Sequence, residues 1–242
     1  MVESAITPDE NQPTESGTRR IITPALILFL TIAVPVLLTL ISVRIVMTTA
    51  FLEFEYNRPG FPEDIYGFTT EDRLEYAPYA INYLLNGEDI SYLGDLTFPN
   101  GAPLYNSREL RHMEDVKVVT RAAYFLLFWG SVATAGIITV MTIKRDFRPH
   151  LRQGLFNGGL LTVFIIVTII AVALVAWDFF FDTFHNIFFE SGTWRFAYSD
   201  TLIRLFPETL WFDAAITIGL LTSFGATLIL FLTWQWGKRD IS

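Results

Sequence analysis

Four stretches without a charged residue, Ile21 to Val43, Ala122 to Ile143, Leu155 to Trp177 and Ala214 to Trp234, leave this chain few ways to fold. An α-helix needs roughly 20 apolar residues to cross the hydrocarbon core of a bilayer. A backbone in lipid must also satisfy its own hydrogen bonds. The expectation is an all-α membrane protein with four transmembrane helices, spanning about 21–47, 118–143, 154–177 and 210–236. The first stretch does not read as a cleavable leader: polar, partly acidic residues precede it, its apolar run is too long, and no A-x-A-like site follows. It is expected to stay as an anchor.

Lysine and arginine set the orientation. Arg19 and Arg20 precede the first span, "KRDFRPHLR" (144–152) joins the second to the third, and Lys238 and Arg239 follow the fourth. All three belong in the cytoplasm of a cell-membrane protein, together with both termini. The segments of about 48–120 and 178–209 then face outward. The net charge of −8 comes largely from the first of these. That excess argues against nucleic acid or an anionic membrane surface as a partner. The chain has no cysteine. Disulfides, a thiolate nucleophile and S-lipidation of the chain itself are therefore excluded.

Residues 1–20 form a polar tail of disordered composition, and 21–242 read as a single membrane domain. Pro35 is expected to kink the first span, and Arg44 to snorkel from its outer end. The first outer segment is too long for a connector, so 48–117 is expected to fold as a small, mainly helical cap. Within it, Thr69 and Asp72 have capping-box spacing ahead of Leu74, Ala77, Ile81 and Leu84, and Gly87 marks the stop. Asn100-Gly101 signals a tight hairpin. Asn106 and Glu109 repeat the capping-box spacing at the head of a pattern that runs unbroken into the second span.

"WDFFFDTFHNIFFE" places Phe181, His185, Phe188 and Phe189 on one helical face, as expected of an aromatic helix lying in the outer interface. A simple aromatic belt accounts for Trp177, Trp211, Trp234 and Trp236 equally well. Of the three histidines, His150 belongs to the solvated basic loop. His112 and His185 both fall on the outer side, and each has an aspartate at helical spacing, Asp115 and Asp182, to hold its ring in one tautomer. Two such imidazoles, if their helices meet, supply a base and an acid without a metal or cofactor. Trp194 reads as an interface anchor or substrate contact, and Arg195 as a group for a phosphate, a carboxylate or an oxyanion. Asp200 and Arg204 have the spacing of a helical ion pair. No phosphate loop, zinc spacing or Ser-centred nucleophile elbow is present.

"NSRELRHMEDVK" (106–117) and "FHNIFFESGTWRFAYSDTLIRLFPETLW" (184–211) resemble the two signature stretches of a family of bacterial four-span integral membrane proteins that includes lipoprotein intramolecular transacylase. The order and spacing fit from the first span through the fourth. The resemblance implies a reaction on diacylated bacterial lipoproteins in membrane lipid: the sn-2 acyl chain of S-diacylglyceryl-cysteine moves to the cysteine α-amino group, giving the lyso form. It also implies that His112 and His185 carry the reaction. Asp115, Asp182, Arg195, Trp194 and Arg204 are the candidate supporting or substrate-binding residues. Which histidine is base and which acid stays open here, as does the oligomeric state. A lipid- or lipopeptide-binding protein without catalysis is the competing reading. A transporter is disfavoured, because no intramembrane carboxylate chain marks an ion path.

Overall fold

The computed structural model describes the backbone of residues 14–239 and the side chains of residues 22–238. Its helices, in chain order, are α1 (Thr14–Val46), α2 (Thr49–Asn57), α3 (Thr70–Leu85), α4 (Ser91–Gly94), α5 (Ser107–Ile143), α6 (Arg148–Val175), α7 (Trp177–Phe188), α8 (Thr201–Leu205) and α9 (Glu208–Arg239). Four of them, α1, α5, α6 and α9, are long and apolar enough to cross a membrane. The chain is an all-α, multi-pass membrane protein. The expected tail falls mostly on residues 1–13, outside the described part, and α1 is already helical from Thr14. It continues as helix through Pro35.

Three of the long helices make a close bundle. α6 packs along both α1 and α9, which also touch each other, while α5 lies mainly against α1. Lipid tails are as apolar as leucine, so such helices are held by backbone approach and interhelical hydrogen bonds. Gly158 and Gly159 of α6 supply the approach. A Cβ at Gly158 would lie 2.7 Å from the Val34 Cβ of α1, and one at Gly159 2.9 Å from Leu230 of α9. Thr222 and Ser42 supply a bond, with their hydroxyls 2.9 Å apart in a fully enclosed contact between α9 and α1.

A second core lies at one end of this bundle. Leu52 and Tyr56 of α2, Ala77, Ala80 and Tyr83 of α3, Leu93 of α4, Met113 of α5 and Leu205 of α8 are all buried in it. Both capping boxes form. Thr69 and Asp72 exchange bonds of 3.1 and 2.8 Å at the head of α3, and Asn106 and Glu109 do the same at the head of α5. α3 ends at Leu85, just short of Gly87. The hairpin at Asn100-Gly101 shrinks to one bridge, Thr97 to Pro103, with Gly101 at a φ of +82°. Pro99 and Pro103 have no amide hydrogen to extend a ladder.

This second core contains buried cations, each with acceptors in place, as desolvated charge requires. Arg73 donates to the carbonyls of Arg204 (3.0 Å) and Pro62 (2.7 Å). Lys117 of α5 donates to the Glu88 carbonyl (2.6 Å) and to Asn86 (3.1 Å). The Tyr56 hydroxyl donates to the Leu205 carbonyl at 2.7 Å, and Arg58, at the C-cap of α2, joins Glu55 to Asp213 of α9. These bonds tie the segment after α1 to α5, to α8 and to the head of α9.

Candidate active site

His112 lies one turn inside α5, on the side that meets the segment between α7 and α8. It is buried, with 7% of its surface exposed. His185 lies in the last turn of α7, a helix with no fully buried residue. The two imidazoles face each other with centroids 6.4 Å apart and planes 27° from parallel. Aromatic rings close the surroundings. Phe189 and Phe196 meet His112 edge-on at 5.0 and 5.3 Å, Phe181 lies 4.1 Å from His185, and Trp194 stacks on His185 at 4.5 Å.

The two rings differ in what their nitrogens do. The Nδ1 of His185 lies 2.8 Å from the Phe181 carbonyl. A carbonyl only accepts, so Nδ1 carries the proton and the neutral ring presents an Nε2 lone pair. The Nδ1 of His112 is enclosed and has no partner. The Nε2 of His112 makes no hydrogen bond to the described residues and is not one of the enclosed atoms, so it is the nitrogen left accessible. Burial among rings disfavours an imidazolium. For His185 it holds the pKa below the ordinary 6.5, against the opposing pull of the Phe181 bond and the Asp182 charge.

The aspartates do not do what their spacing suggests. Asp182 pairs with Arg195 at 2.7 Å, both side chains well exposed, and the carbonyl of Phe181 orients His185 in its place. Asp115 is half-buried and makes no hydrogen bond or ion pair among the described residues, His112 included. A helix carbonyl was always within reach of His185, and spacing alone does not weigh it against a side chain. Arg204 does not pair with Asp200. It binds Asp64 (2.9 Å) and lies 3.6 Å above the Phe68 ring, bracing the second core rather than touching either histidine. Asp200 turns back to the Ala197 amide (2.9 Å) and pairs with Arg108 of α5 (2.8 Å). Trp194 is 6% exposed and part of the site wall. Among the described residues no group of three or more His, Asp or Glu side chains is placed to hold a metal ion.

Two contributors went unrecognised in the sequence. Phe196 was one aromatic among many, and nothing local singled it out. Glu109 was read only as a cap, yet its second oxygen accepts the Leu202 amide at 2.6 Å across the fold.

With this geometry in hand, the likeness to known proteins is informative. A family model described as lipoprotein intramolecular transacylase Lit matches residues 26–211. An uncharacterised protein of Aquifex aeolicus (strain VF5) is 32% identical over 214 residues, covering 88% of this chain and 94% of that one. The solved in meso structure of the membrane integral lipoprotein intramolecular transacylase Lit from Bacillus cereus superposes with a TM-score of 0.76 at 19% identity, covering 91% of this chain and 99% of the other. A histidine-to-alanine mutant of the Bacillus cereus protein gives 0.70 at 16% identity, over 95% and 100% of the two chains. At these identities the structural likeness is one of fold.

Proposed function

The chain belongs to the lipoprotein intramolecular transacylase family, and from that premise we propose that it moves the sn-2 acyl chain of S-diacylglyceryl-cysteine, at the N-terminus of a lipoprotein, to the cysteine α-amino group. The observation that carries this reading is the facing pair His112 and His185, each with its Nε2 unpaired, in a wall of aromatic rings. The cap-end core and the site face the extracytoplasmic side, because the basic loop 144–152 and both termini take the cytoplasmic side.

The hydrogen-bond pattern of the two rings supports one division of roles. His185, with its proton held on Nδ1, takes a proton from the attacking amine through Nε2. His112, with Nδ1 enclosed, works through Nε2 as well. Its proton belongs there, since an enclosed N–H without an acceptor costs more than an enclosed lone pair. His112 therefore hydrogen-bonds through Nε2–H to the tetrahedral oxyanion and passes that proton to the departing sn-2 oxygen, while the proton taken up by His185 returns across the pair to His112, so that both rings end neutral. One C–N bond forms, one ester C–O bond breaks, and the proton lost by the amine is made good on the glycerol hydroxyl. No acyl-enzyme is required, in keeping with a chain that has no cysteine. Orientation of amine against ester is the protein's main contribution, on the order of 7 to 11 kcal/mol when well held. Phe181, Phe189, Phe196 and Trp194 suit that task, as they present apolar ring surface beside the two imidazoles.

The test is expression in a host whose lipoproteins keep a free α-amino diacylglyceryl-cysteine. Mass spectrometry is expected to show conversion to the N-acyl monoacyl form. Folded, inserted protein that binds such a lipopeptide and leaves it unchanged sinks this reading in favour of a binding protein.

A further inference from the structure

The position of α7 needs an explanation. Without a fully buried residue of its own, it reaches α5 through rings: His185 on His112, Phe189 on His112, and Trp194 on His185. Trp194 and Phe196 belong to the segment between α7 and α8. That segment has no strand and only the five-residue α8 at its end. Left to itself it has no reason to hold two rings at fixed distances from two histidines.

Glu109 supplies the reason. It lies three positions before His112 on α5, and 1% of its surface is exposed. One carboxylate oxygen accepts the Asn106 amide at 2.7 Å, closing the head of its own helix, and the other accepts the Leu202 amide at 2.6 Å. A second tie runs beside it. Asp200 accepts from Arg108 (2.8 Å), from the Asn106 side chain (3.3 Å) and from the Ala197 amide (2.9 Å). At the other end of the segment Arg195 pairs with Asp182 of α7. A mechanical chain thus runs from α5 through Glu109 and Leu202 to Phe196 and Trp194, and from Trp194 to His185.

We infer that Glu109 is a positioning residue for acyl transfer: by holding the Leu202 amide while capping its own helix, it sets Trp194 against His185 and Phe196 against His112. The inference rests on the acyl-transfer reading of the same site. A carboxylate is the side chain this position requires, since both its oxygens accept and each meets an N–H. An amide of the same shape turns an NH2 toward one of those N–H groups and loses that bond. Displacements of about 1 Å cost on the order of a hundredfold in rate where orientation dominates.

The experiment uses the full chain in proteoliposomes with a synthetic S-diacylglyceryl-cysteine lipopeptide. The chain has no native cysteine, so spin labels at Glu114→Cys on α5 and Glu190→Cys after α7, both exposed positions, read the α5–α7 distance directly. Glu109→Gln is expected to lower kcat roughly 10- to 100-fold with KM within about twofold, and to broaden the distance distribution. Asp200→Asn is expected to move both in the same direction by less. Glu109→Gln with wild-type kcat overturns the inference, as does lost kcat with an unchanged distance distribution. If Glu109→Gln does not insert and fold, Asp200→Asn decides, and unchanged kcat and distance in that variant overturn it. If the wild-type chain does not convert the lipopeptide, the acyl-transfer reading fails; the distance measurement on Glu109→Gln still decides the positioning claim by itself.

Discussion

The two ends of this molecule are held together by opposite means. Across α1, α6 and α9, contact comes from missing side chains: Gly158 and Gly159 let backbones approach, and a hydroxyl pair, Ser42 with Thr222, bonds α1 to α9. At the other end, contact comes from large and charged side chains: Arg73, Arg204 and Lys117 grip backbone groups on distant segments within the second core, Glu109 does so beside the histidines, and rings pack around the two imidazoles. The difference has a physical cause. In lipid, polar bonds add little beyond packing. At the cap end a desolvated charge must be paired, and pairing fixes geometry. Rigid packing suits a scaffold; bonds between segments far apart in sequence suit a site.

The sharpest break of that contrast is at the histidines. His112→Ala and His185→Ala are each expected to lower acyl transfer by about a thousandfold or more, with thermal stability in detergent little changed. The double variant is expected to be no worse than either single one, and a double variant that still converts lipopeptide ends the two-histidine mechanism.

Arg73→Met probes the gripping end. It leaves the Arg204 and Pro62 carbonyls without their donor, at about 3 kcal/mol. Amide exchange in α3 and α8 is expected to speed up roughly a hundredfold while exchange in α6 and α9 stays put. Equal loss of protection in the bundle would erase the distinction between the two ends.

Gly158→Val is the mirror experiment. Overpacking against Val34 costs about 2 kcal/mol and is expected to lower the thermal midpoint, with kcat at low temperature retained. Loss of kcat at full stability would show that the bundle does more than carry the site.

The pH profile sharpens the picture of the site itself. Burial holds the His185 pKa below the ordinary value, so the unfolded ring takes up a proton first as pH falls from about 6.5. Stability from the neutral ring is full above that value and is lost as pH drops toward the folded pKa. The same neutral form is the base. The acid limb of kcat is therefore expected below pH 6.5, steepening toward tenfold per unit, and a limb above that value contradicts His185 as the base. The smallest effect belongs to Thr222→Val, which removes the Ser42 bond for roughly 0.6 kcal/mol and leaves transfer unchanged.

Much of this was legible in the residues. The spans, the two capping boxes and the continuous α5 followed from apolar length and local spacing, which act within a few residues. His112 and His185 were identifiable as candidates from topology and from the family's signature stretches. The partners were not legible. Spacing offered Asp182, Asp115 and the Asp200–Arg204 pair, and the fold gave Asp182 to Arg195, Asp200 to Arg108 and Arg204 to Asp64. Helical spacing says which groups share a face. It does not weigh a neighbour on the same helix against one brought in by another.

The sequence by itself determined that the chain lies in a membrane, how many times it can cross, and that no cysteine thiol of its own takes part in any chemistry. Tertiary structure alone decided that α5 and α7 meet, which nitrogen of each histidine stays open, and that a helix cap, Glu109, also grips a loop 93 residues away in sequence. The reason is range. Hydrophobic length and capping are local and leave a periodic trace, whereas a hydrogen bond between distant segments exists only once packing has brought its two ends together.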